Sequence, residues 1–277
     1  MAATETTFDL AVLGSGPGGY TAAFRAADLG LNVALIERWP SLGGVCLNVG
    51  CIPSKALLHA AKVIDEAEEM SAHGISFGAP SIETDKLNHW KQSEVNRLTG
   101  GLTQLAKQRK VTVVQGTGKF IDAHNLSVVD ESGTETNVSF KQCVIAAGSE
   151  PIMLPGLPDD PRIVASTGAL EINPMPDSLL IVGGGIIGLE LGSVYAALGS
   201  KVTVVELTDQ LMPGADPALV RPLTKRFKSR FADILLGTKV TGMTSATAGL
   251  RVSFEGKADF DSALFDRVLV AVGRRPN

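Results

Sequence analysis

Two stretches of the chain repeat one pattern of apolar and polar positions. FDLAVLGSGPGGYTAAFRAADLGLNVALIE (residues 8–37) and DSLLIVGGGIIGLELGSVYAALGSKVTVVE (residues 177–206) each contain an apolar run, a glycine turn, an alanine-rich segment, a second apolar run and a glutamate. Short apolar runs bounded by glycine are typical of buried strands, and the segment between them has the composition of a helix. Each stretch therefore predicts a βαβ unit, and the chain is expected to be an α/β protein.

The glycines of both units follow the spacing G-x-G-x-x-G, at Gly14, Gly16 and Gly19 and at Gly183, Gly185 and Gly188. The first glycine of this motif makes a tight turn, the second lets backbone approach a pyrophosphate, and the third lets helix pack closely on strand. Glu37 and Glu206 end the second strands, where a carboxylate can bind ribose hydroxyls. Ordinary crossovers with incidental glycine turns are the alternative. The repetition favours two Rossmann-like dinucleotide-binding domains.

The second unit is expected to prefer NAD to NADP. A 2′-phosphate would be repelled by Glu206, and the residues that follow, Leu207–Asp209, supply no cation to hold it.

Between the units we predict helices over residues 56–73 and 85–109, with short strands at VTVVQG and NLSVVD. The proline-rich segment EPIMLPGLPDDP is a predicted linker. Further strands are expected near LRVSFEG and DRVLVAVG. The predicted domains are residues 1–150 and 151–277.

The overall composition narrows the classes of function. With 25 basic and 29 acidic residues the net charge is −4, which favours neither nucleic acid nor an anionic membrane surface. The most apolar run is interrupted by glycines and by Glu190, so no membrane span is expected. Three cysteines and an acidic N-terminus indicate a cytoplasmic protein. Cys143, in the apolar strand QCVIAAG, is expected to be a small core residue.

The segment GGVCLNVGCIPSK places Cys46 and Cys51 five residues apart. Five residues of regular helix rise about 7.5 Å, beyond the roughly 7 Å limit for disulfide-bonded Cα atoms, so a bond between the two needs an irregular turn. Asn48 and Gly50 permit one, and a helix after Pro53 would favour a thiolate at Cys51. A reversible disulfide is favoured over unlinked thiols, a structural bridge or a metal site.

Seven motifs follow one another in the same order as in the members of one protein family. They are GSGPGGY, GGVCLNVGCIPSKALLH, VIAAGS, PRIVASTGALE, GGGIIGLELG, VVELTDQLMPGAD and VAVGRRPN. With them the sequence resembles the dihydrolipoamide dehydrogenase group of the pyridine nucleotide–disulfide oxidoreductase family, in particular the bacterial type that serves 2-oxo acid dehydrogenase complexes. Glutathione and mercuric reductases share the architecture. The motif CLNVGCIPSKALL, together with Glu206, favours the lipoamide group and NAD as the nicotinamide cofactor.

The resemblance implies that the first unit binds FAD and the second binds NAD. The implied FAD residues are Gly14, Gly16, Gly18, Gly19, Glu37, Lys55, Gly118, Ala147 and Gly148. The implied NAD residues are Gly183, Gly184, Gly185, Ile186, Ile187, Gly188, Glu206, Val240, Ala271, Val272, Gly273 and Arg274.

The resemblance also implies the catalytic roles. Cys46 would exchange with dihydrolipoamide, and Cys51 would contact the flavin. Lys55 would lie beside the flavin and pair with Glu190, although an incidental, solvated pair is the alternative. Two electrons would then pass from the dithiol to NAD.

The chain stops at VAVGRRPN, whereas members of this family continue further. We therefore expect a C-terminally truncated chain without the last part of the FAD domain and without the dimerisation domain, which carries a catalytic histidine–glutamate pair. The parent is expected to be a homodimer that acts on a lipoyl domain of a 2-oxo acid dehydrogenase complex. The alternative function is a catalytically incomplete nucleotide-binding fragment or another disulfide reductase of the same family.

Overall fold

The computed structural model describes residues 7–277, and these form two compact units. The first contains the residues up to Pro53 together with Gln92–Glu150 and Pro276–Asn277, and the second contains Ser54–Lys91 and Pro151–Arg275. In this structure the units meet between Glu150 and Pro151, and the predicted domains 1–150 and 151–277 stay a prediction. Residues 54–91 belong to the second unit. The reason is apolar packing, since Leu57 is only 1% exposed and belongs to the second unit's core.

The two βαβ repeats appear in the order of the elements. The helices are α1 (Pro17–Asp28), α2 (Gly44–Val49), α3 (Cys51–Glu69), α4 (Thr84–Gln108), α5 (Ser166–Ala169), α6 (Ile186–Ala197) and α7 (Pro217–Lys228), with a 3₁₀ turn at Met70–His73. The strands are β1 (Thr7–Leu13), β2 (Val33–Glu37), β3 (Thr112–Gln115), β4 (Thr117–Asp122), β5 (Asn125–Val129), β6 (Glu135–Ile145), β7 (Ser149–Pro151), β8 (Ile163–Val164), β9 (Ser178–Val182), β10 (Lys201–Glu206), β11 (Asp233–Leu236), β12 (Thr238–Ala246), β13 (Gly249–Gly256), β14 (Ser262–Phe265), β15 (Arg267–Val270) and β16 (Arg274–Pro276).

The first unit is built on a six-stranded sheet of order β3-β2-β1-β6-β5-β4. Strands β3, β2, β1 and β6 run parallel, whereas β6, β5 and β4 are antiparallel neighbours. Every residue of β2 is buried, as expected for a central parallel strand that is covered on both faces. The carboxyl ends of β1, β2 and β6 therefore meet at one edge, where α/β sheets bind ligands.

The second unit repeats this arrangement. Its five-stranded sheet has the order β11-β10-β9-β15-β8, with parallel pairs throughout. A separate antiparallel sheet, β12-β13-β14, lies beside it in the chain. Helix α6 is buried along much of its length, and its Leu189, Val194 and Tyr195 join the core that also holds Leu57 of α3.

The expected elements are present, with shifted ends. Helix α3 begins at Cys51, before the predicted start at residue 56, because Pro53 lies in its first turn, where a helix needs no backbone donor. Strand β4 was not predicted. Most of its residues are exposed, so it lacks the apolar signal that marked β3 and β5.

Candidate functional site

The first glycine loop joins β1 to α1, whose N-cap is Gly16. Gly14 has a φ of 98°, and a Cβ on it would collide with the Ala146 carbonyl. A Cβ on Gly19 would collide with the carbonyl of Gly14, so close packing of helix on strand requires glycine there. By contrast, a Cβ on Gly16 or Gly18 would meet no described atom within 4 Å. The loop therefore has space beside the helix N-terminus, where an anion is favoured.

The second glycine loop, between β9 and α6, has the same geometry. Gly183 has a φ of 110°, and its Cβ would lie 2.5 Å from the Ala271 carbonyl oxygen. A Cβ on Gly188 would lie 2.5 Å from the Gly183 oxygen. A Cβ on Gly185, the N-cap of α6, would meet no described atom within 4 Å. The first glycine of each motif thus makes a turn and the third allows close packing, whereas the approach of a pyrophosphate to the second stays a prediction.

Glu37 is buried at the end of β2, and its carboxylate holds the first glycine loop. Oε2 accepts hydrogen bonds from the Ser15 N–H (2.9 Å) and hydroxyl (2.5 Å), and Oε1 accepts from the Trp39 N–H (2.9 Å). These bonds compensate the buried charge. Ser15 is a site residue that the sequence analysis missed, although its place between the first two glycines could have indicated it.

Glu206 occupies the same position in the second unit. Its Oε2 accepts from the Gly184 N–H at 2.7 Å, and its Oε1 accepts from the N–H (2.8 Å) and hydroxyl (2.9 Å) of Thr208. A Cβ on Gly184 would lie 3.1 Å from the Cβ of Glu206. Each glutamate therefore fixes the loop beside it, and ribose binding by these carboxylates stays a prediction.

The other predicted residues of the first unit lie at the same sheet edge. A Cβ on Gly118 of β4 would lie 2.7 Å from Leu13, the last residue of β1. Ala147 and Gly148 follow β6, and both carbonyls accept hydrogen bonds from Asn277, from its side chain (2.7 Å) and its N–H (3.1 Å) respectively. These residues are therefore close to the turn at Gly14.

In the second unit, Ala271 follows β15 and its N–H donates to the Val182 carbonyl at 2.8 Å. Val272 is partly exposed, Gly273 has a φ of 135°, and Arg274 begins β16. Ile186 and Ile187 are the first residues of α6, and Ile186 is largely exposed.

Val240 belongs to the separate sheet, on β12 opposite Phe254. It packs against a core cluster that includes Val182, Val205 and Val270, which lie at the carboxyl ends of β9, β10 and β15. Val240 thus shares a core cluster with the ends of these strands, and its part in an NAD site stays a prediction.

The two cysteines lie on either side of a break between helices. Cys46 is on α2 and partly buried, and Cys51 begins α3 and is exposed. A Cβ on Gly50 would lie 2.8 Å from the Val45 oxygen and 3.3 Å from the Cys46 Cα, so only glycine lets the chain fold back here. The expected irregular turn is present at Gly50. The disulfide between Cys46 and Cys51 stays a prediction.

The loop that carries the cysteines packs on the first glycine loop. The Gly43 N–H donates to the Ser15 carbonyl at 3.0 Å, and a Cβ on Gly44 would lie 2.7 Å from the Cα of Gly16. Asn48, which was also named as permitting a turn, lies within α2, and its amide donates to the Gly44 carbonyl at 3.0 Å. The cysteine segment and the expected pyrophosphate loop are therefore in direct contact.

Lys55 of α3 and Glu190 of α6 form an ion pair. The Lys55 Nζ lies 2.9 Å from Oε1 and 3.0 Å from Oε2, and the two side chains are 60% and 31% exposed. An exposed ion pair contributes little stability. The better reason to expect a functional role is that Lys55 lies four residues after Cys51. The catalytic role of either residue stays a prediction.

Cys143 lies on β6 opposite Ala11, and burial raises the pKa of its thiol. Among residues 7–277, no group of three or more His, Cys, Asp or Glu side chains could hold a metal ion. Within the same range, no helix combines the length and apolar character needed to cross a bilayer.

Comparison with known proteins decides the family. The family model described as pyridine nucleotide-disulphide oxidoreductase matches residues 8–277. The chain belongs to this family. Curated members include a dihydrolipoyl dehydrogenase of Vibrio parahaemolyticus, 54% identical over 99% of this chain and 58% of that protein. Another, from Haemophilus influenzae, is 53% identical over 99% of this chain and 57% of its own length. The chain thus spans a little over half the length of these oxidoreductases.

Solved structures agree with this family assignment. The Cu(II) complex of the HOCl-induced flavoprotein disulfide reductase RclA from Escherichia coli superposes with a TM-score of 0.82 at 27% identity. The match covers 98% of this chain and 57% of that one.

Proposed function

We propose that this chain is the dinucleotide-binding and cysteine-bearing part of a dihydrolipoyl dehydrogenase, which oxidises a protein-bound dithiol and reduces NAD. The supporting observation is the packing of the cysteine loop on the first glycine loop, through Gly43 on Ser15 and Gly44 on Gly16. Relatives named dihydrolipoyl dehydrogenase match over 99% of the chain, which supports the same choice.

The residues of the first unit fit FAD. The open positions at Gly16 and Gly18 leave backbone free at the start of α1, where a pyrophosphate is favoured by the helix dipole. Gly118 and Ala147-Gly148 would line the remainder of the site. Bound there, FAD would supply a two-electron relay between thiols and nicotinamide.

The residues of the second unit fit NAD. Gly185 is open at the start of α6, and Glu206 is a buried carboxylate at the end of β10. The structure adds a cation that the sequence analysis did not foresee, because Lys257 pairs with Asp209 at 2.7 Å. Since Asp209 neutralises this lysine, the preference for NAD over NADP remains part of the proposal.

The proposed exchange uses the two cysteines. A substrate thiolate attacks Cys46 Sγ in the Cys46–Cys51 disulfide, which forms a mixed disulfide and releases the Cys51 thiolate. The second substrate thiol, once deprotonated, attacks the substrate sulfur of that bond, which closes the lipoyl disulfide and releases Cys46. The position of Cys51 at the start of α3 stabilises the thiolate that leaves. Lys55 would lie one turn further along α3, held by its ion pair with Glu190.

The partners belong to the proposal as well. They are a lipoyl domain of a 2-oxo acid dehydrogenase complex and, for the longer parent, a second copy in a homodimer in the cytoplasm. Because the chain spans 58% of its relative, a second candidate is a nucleotide-binding unit without turnover.

The visible absorption spectrum of the purified chain, reconstituted with FAD, tests the proposal before and after addition of dihydrolipoamide. We expect a flavin spectrum that gains a long-wavelength band when the dithiol is added. Cys51→Ser should abolish that band, whereas Cys143→Ser, on β6, should keep it. A chain that holds no flavin would contradict the FAD assignment. A band that survives in Cys51→Ser would contradict the assigned cysteine. NAD-dependent turnover of dihydrolipoamide by this chain would exclude the second candidate.

A further inference from the structure

In each G-x-G turn, both the N–H and the carbonyl of the middle residue form hydrogen bonds. In the second unit, the Gly184 N–H donates to Glu206 Oε2 at 2.7 Å, and the Gly184 carbonyl accepts from the Met212 N–H at 2.8 Å. The peptide groups on either side of Gly184 therefore each have a fixed orientation.

This orientation determines where the next donor points. A trans peptide is planar, and its C=O and N–H point in opposite directions. Since the Gly184 carbonyl points at Met212, the N–H of Gly185 in the same peptide points away from Met212. Gly185 is the residue whose Cβ would meet no described atom within 4 Å. The hydrogen bond from Met212 thus fixes the direction of a backbone donor at a residue with open space beside its Cα.

The first unit contains the same arrangement. The Ser15 N–H donates to Glu37 at 2.9 Å, and the Ser15 carbonyl accepts from the Gly43 N–H at 3.0 Å. In both units the second donor comes six residues after the glutamate. In both it has a positive φ, 109° at Gly43 and 53° at Met212. An arrangement that occurs in two unrelated loop sequences points to a shared requirement.

Met212 adopts this conformation although methionine seldom does. Its neighbours explain how it is held. Leu211 is fully buried, and the Met212 side chain packs against the core cluster of the second unit. Pro213 and Gly214, with a φ of 89°, form a turn closed by the Ala215 N–H on the Met212 carbonyl at 3.0 Å.

We propose that Met212 is a positioning residue for the dinucleotide pyrophosphate: its left-handed backbone directs the Gly185 N–H toward the phosphate through the Gly184 carbonyl. This rests on the proposed NAD site and adds to it a residue that does not contact the ligand. The glycine motif alone does not orient its donors, and the loop after the second strand completes the site.

The test compares Met212→Val with Met212→Asn in the full chain. A β-branched residue strongly disfavours positive φ, whereas asparagine tolerates it, so the pair separates backbone conformation from loss of the methionine side chain. Calorimetric titration measures affinity for NAD and for adenosine, which has no phosphate. We expect Met212→Val to lower the affinity for NAD on the order of tenfold, because one hydrogen bond to a charged group is lost. The affinity for adenosine should not change. Met212→Asn should bind NAD as the parent does.

Equal NAD affinity in Met212→Val and the parent chain would overturn the positioning role alone. So would a parallel loss of adenosine binding, or a Met212→Asn variant as weak as Met212→Val. A parent chain that binds no NAD would overturn the proposed site and this role together. If Met212→Val does not fold, amide hydrogen exchange of the parent chain tests the positioning role instead. The Met212 amide should be protected without ligand and the Gly185 amide only with NAD, and an unprotected Met212 amide would refute the proposal.

Discussion

Gly188→Ala and Gly185→Ala form a matched pair, because the two glycines belong to one motif but have opposite surroundings. A Cβ on Gly188 would lie 2.5 Å from the Gly183 oxygen and 2.8 Å from the Ile181 Cγ2. A Cβ on Gly185 would meet no described atom within 4 Å, and its φ of −82° suits any residue. Gly188→Ala should therefore cost stability, whereas Gly185→Ala should cost ligand affinity.

The magnitudes follow from these contacts. Overpacking costs up to about 3 kcal/mol when a backbone atom must move, and alanine regains about 1 kcal/mol over glycine in a helix. Gly188→Ala should thus lower the free energy of unfolding by about 2 kcal/mol, and the Tm by roughly 4–8 °C. Gly185→Ala should cost less than about 1 kcal/mol, as the N-cap preference of glycine over alanine is small. The methyl group of Ala at this position would occupy the space that the pyrophosphate needs, and the affinity for NAD should fall on the order of tenfold.

Thermal unfolding followed by circular dichroism measures the first effect, and calorimetric titration with NAD measures the second. A Gly188→Ala chain as stable as the parent would refute the packing argument. A Gly185→Ala chain that binds NAD as tightly as the parent would refute the assignment of the open space to a ligand.

Three further predictions concern the cysteines, an ion pair and the core. In the reduced chain, iodoacetamide should modify exposed Cys51 well before Cys143, as read by mass spectrometry, because thiolates react and burial raises the pKa of Cys143. Bonds from the Arg162 guanidinium and the Ser245 hydroxyl lower the pKa of Asp160. Asp160→Asn should therefore lower stability to urea at pH 7, and the difference from the parent should shrink as the pH falls below about 4, through the folded-state pKa. Leu57→Ala should destabilise the chain by about 2–5 kcal/mol in the same assay.

Each of these has a contrary outcome. Equal labelling rates for the two cysteines would mean that burial does not control the reactivity of Cys143. A difference between Asp160→Asn and the parent that stays constant down to pH 2 would show that the ion pair does not shift the titration. Val63 lies on the same helix as Leu57 but is 53% exposed, and Val63→Ala should change stability by no more than about 0.5 kcal/mol. Equal losses in the two helix variants would contradict the burial of Leu57 in the core of the second unit.

Much of the fold could be predicted from the sequence because its signals are local. The strand, turn and helix of each βαβ unit follow from apolar runs and from glycines at fixed spacing, and both appear as expected at β1–α1–β2 and β9–α6–β10. Strand β4 could not be predicted in this way, since mostly exposed residues leave no apolar pattern. The sequence likewise carries no signal that residues 54–91 pack within the second unit, because this depends on where Leu57 is buried.

The sequence by itself determined which chemical groups are available: two glycine motifs, each followed by a glutamate, and two cysteines on either side of a glycine. Spacing carries this information, since each motif acts within a few residues of backbone. Only the tertiary structure decided which segments meet. It placed Gly44 against Gly16, Asn277 against Ala147, and the Met212 N–H on the Gly184 carbonyl. The physical reason is that these contacts join residues far apart in sequence, so they depend on how strands and loops pack and leave no local pattern of apolar and polar residues.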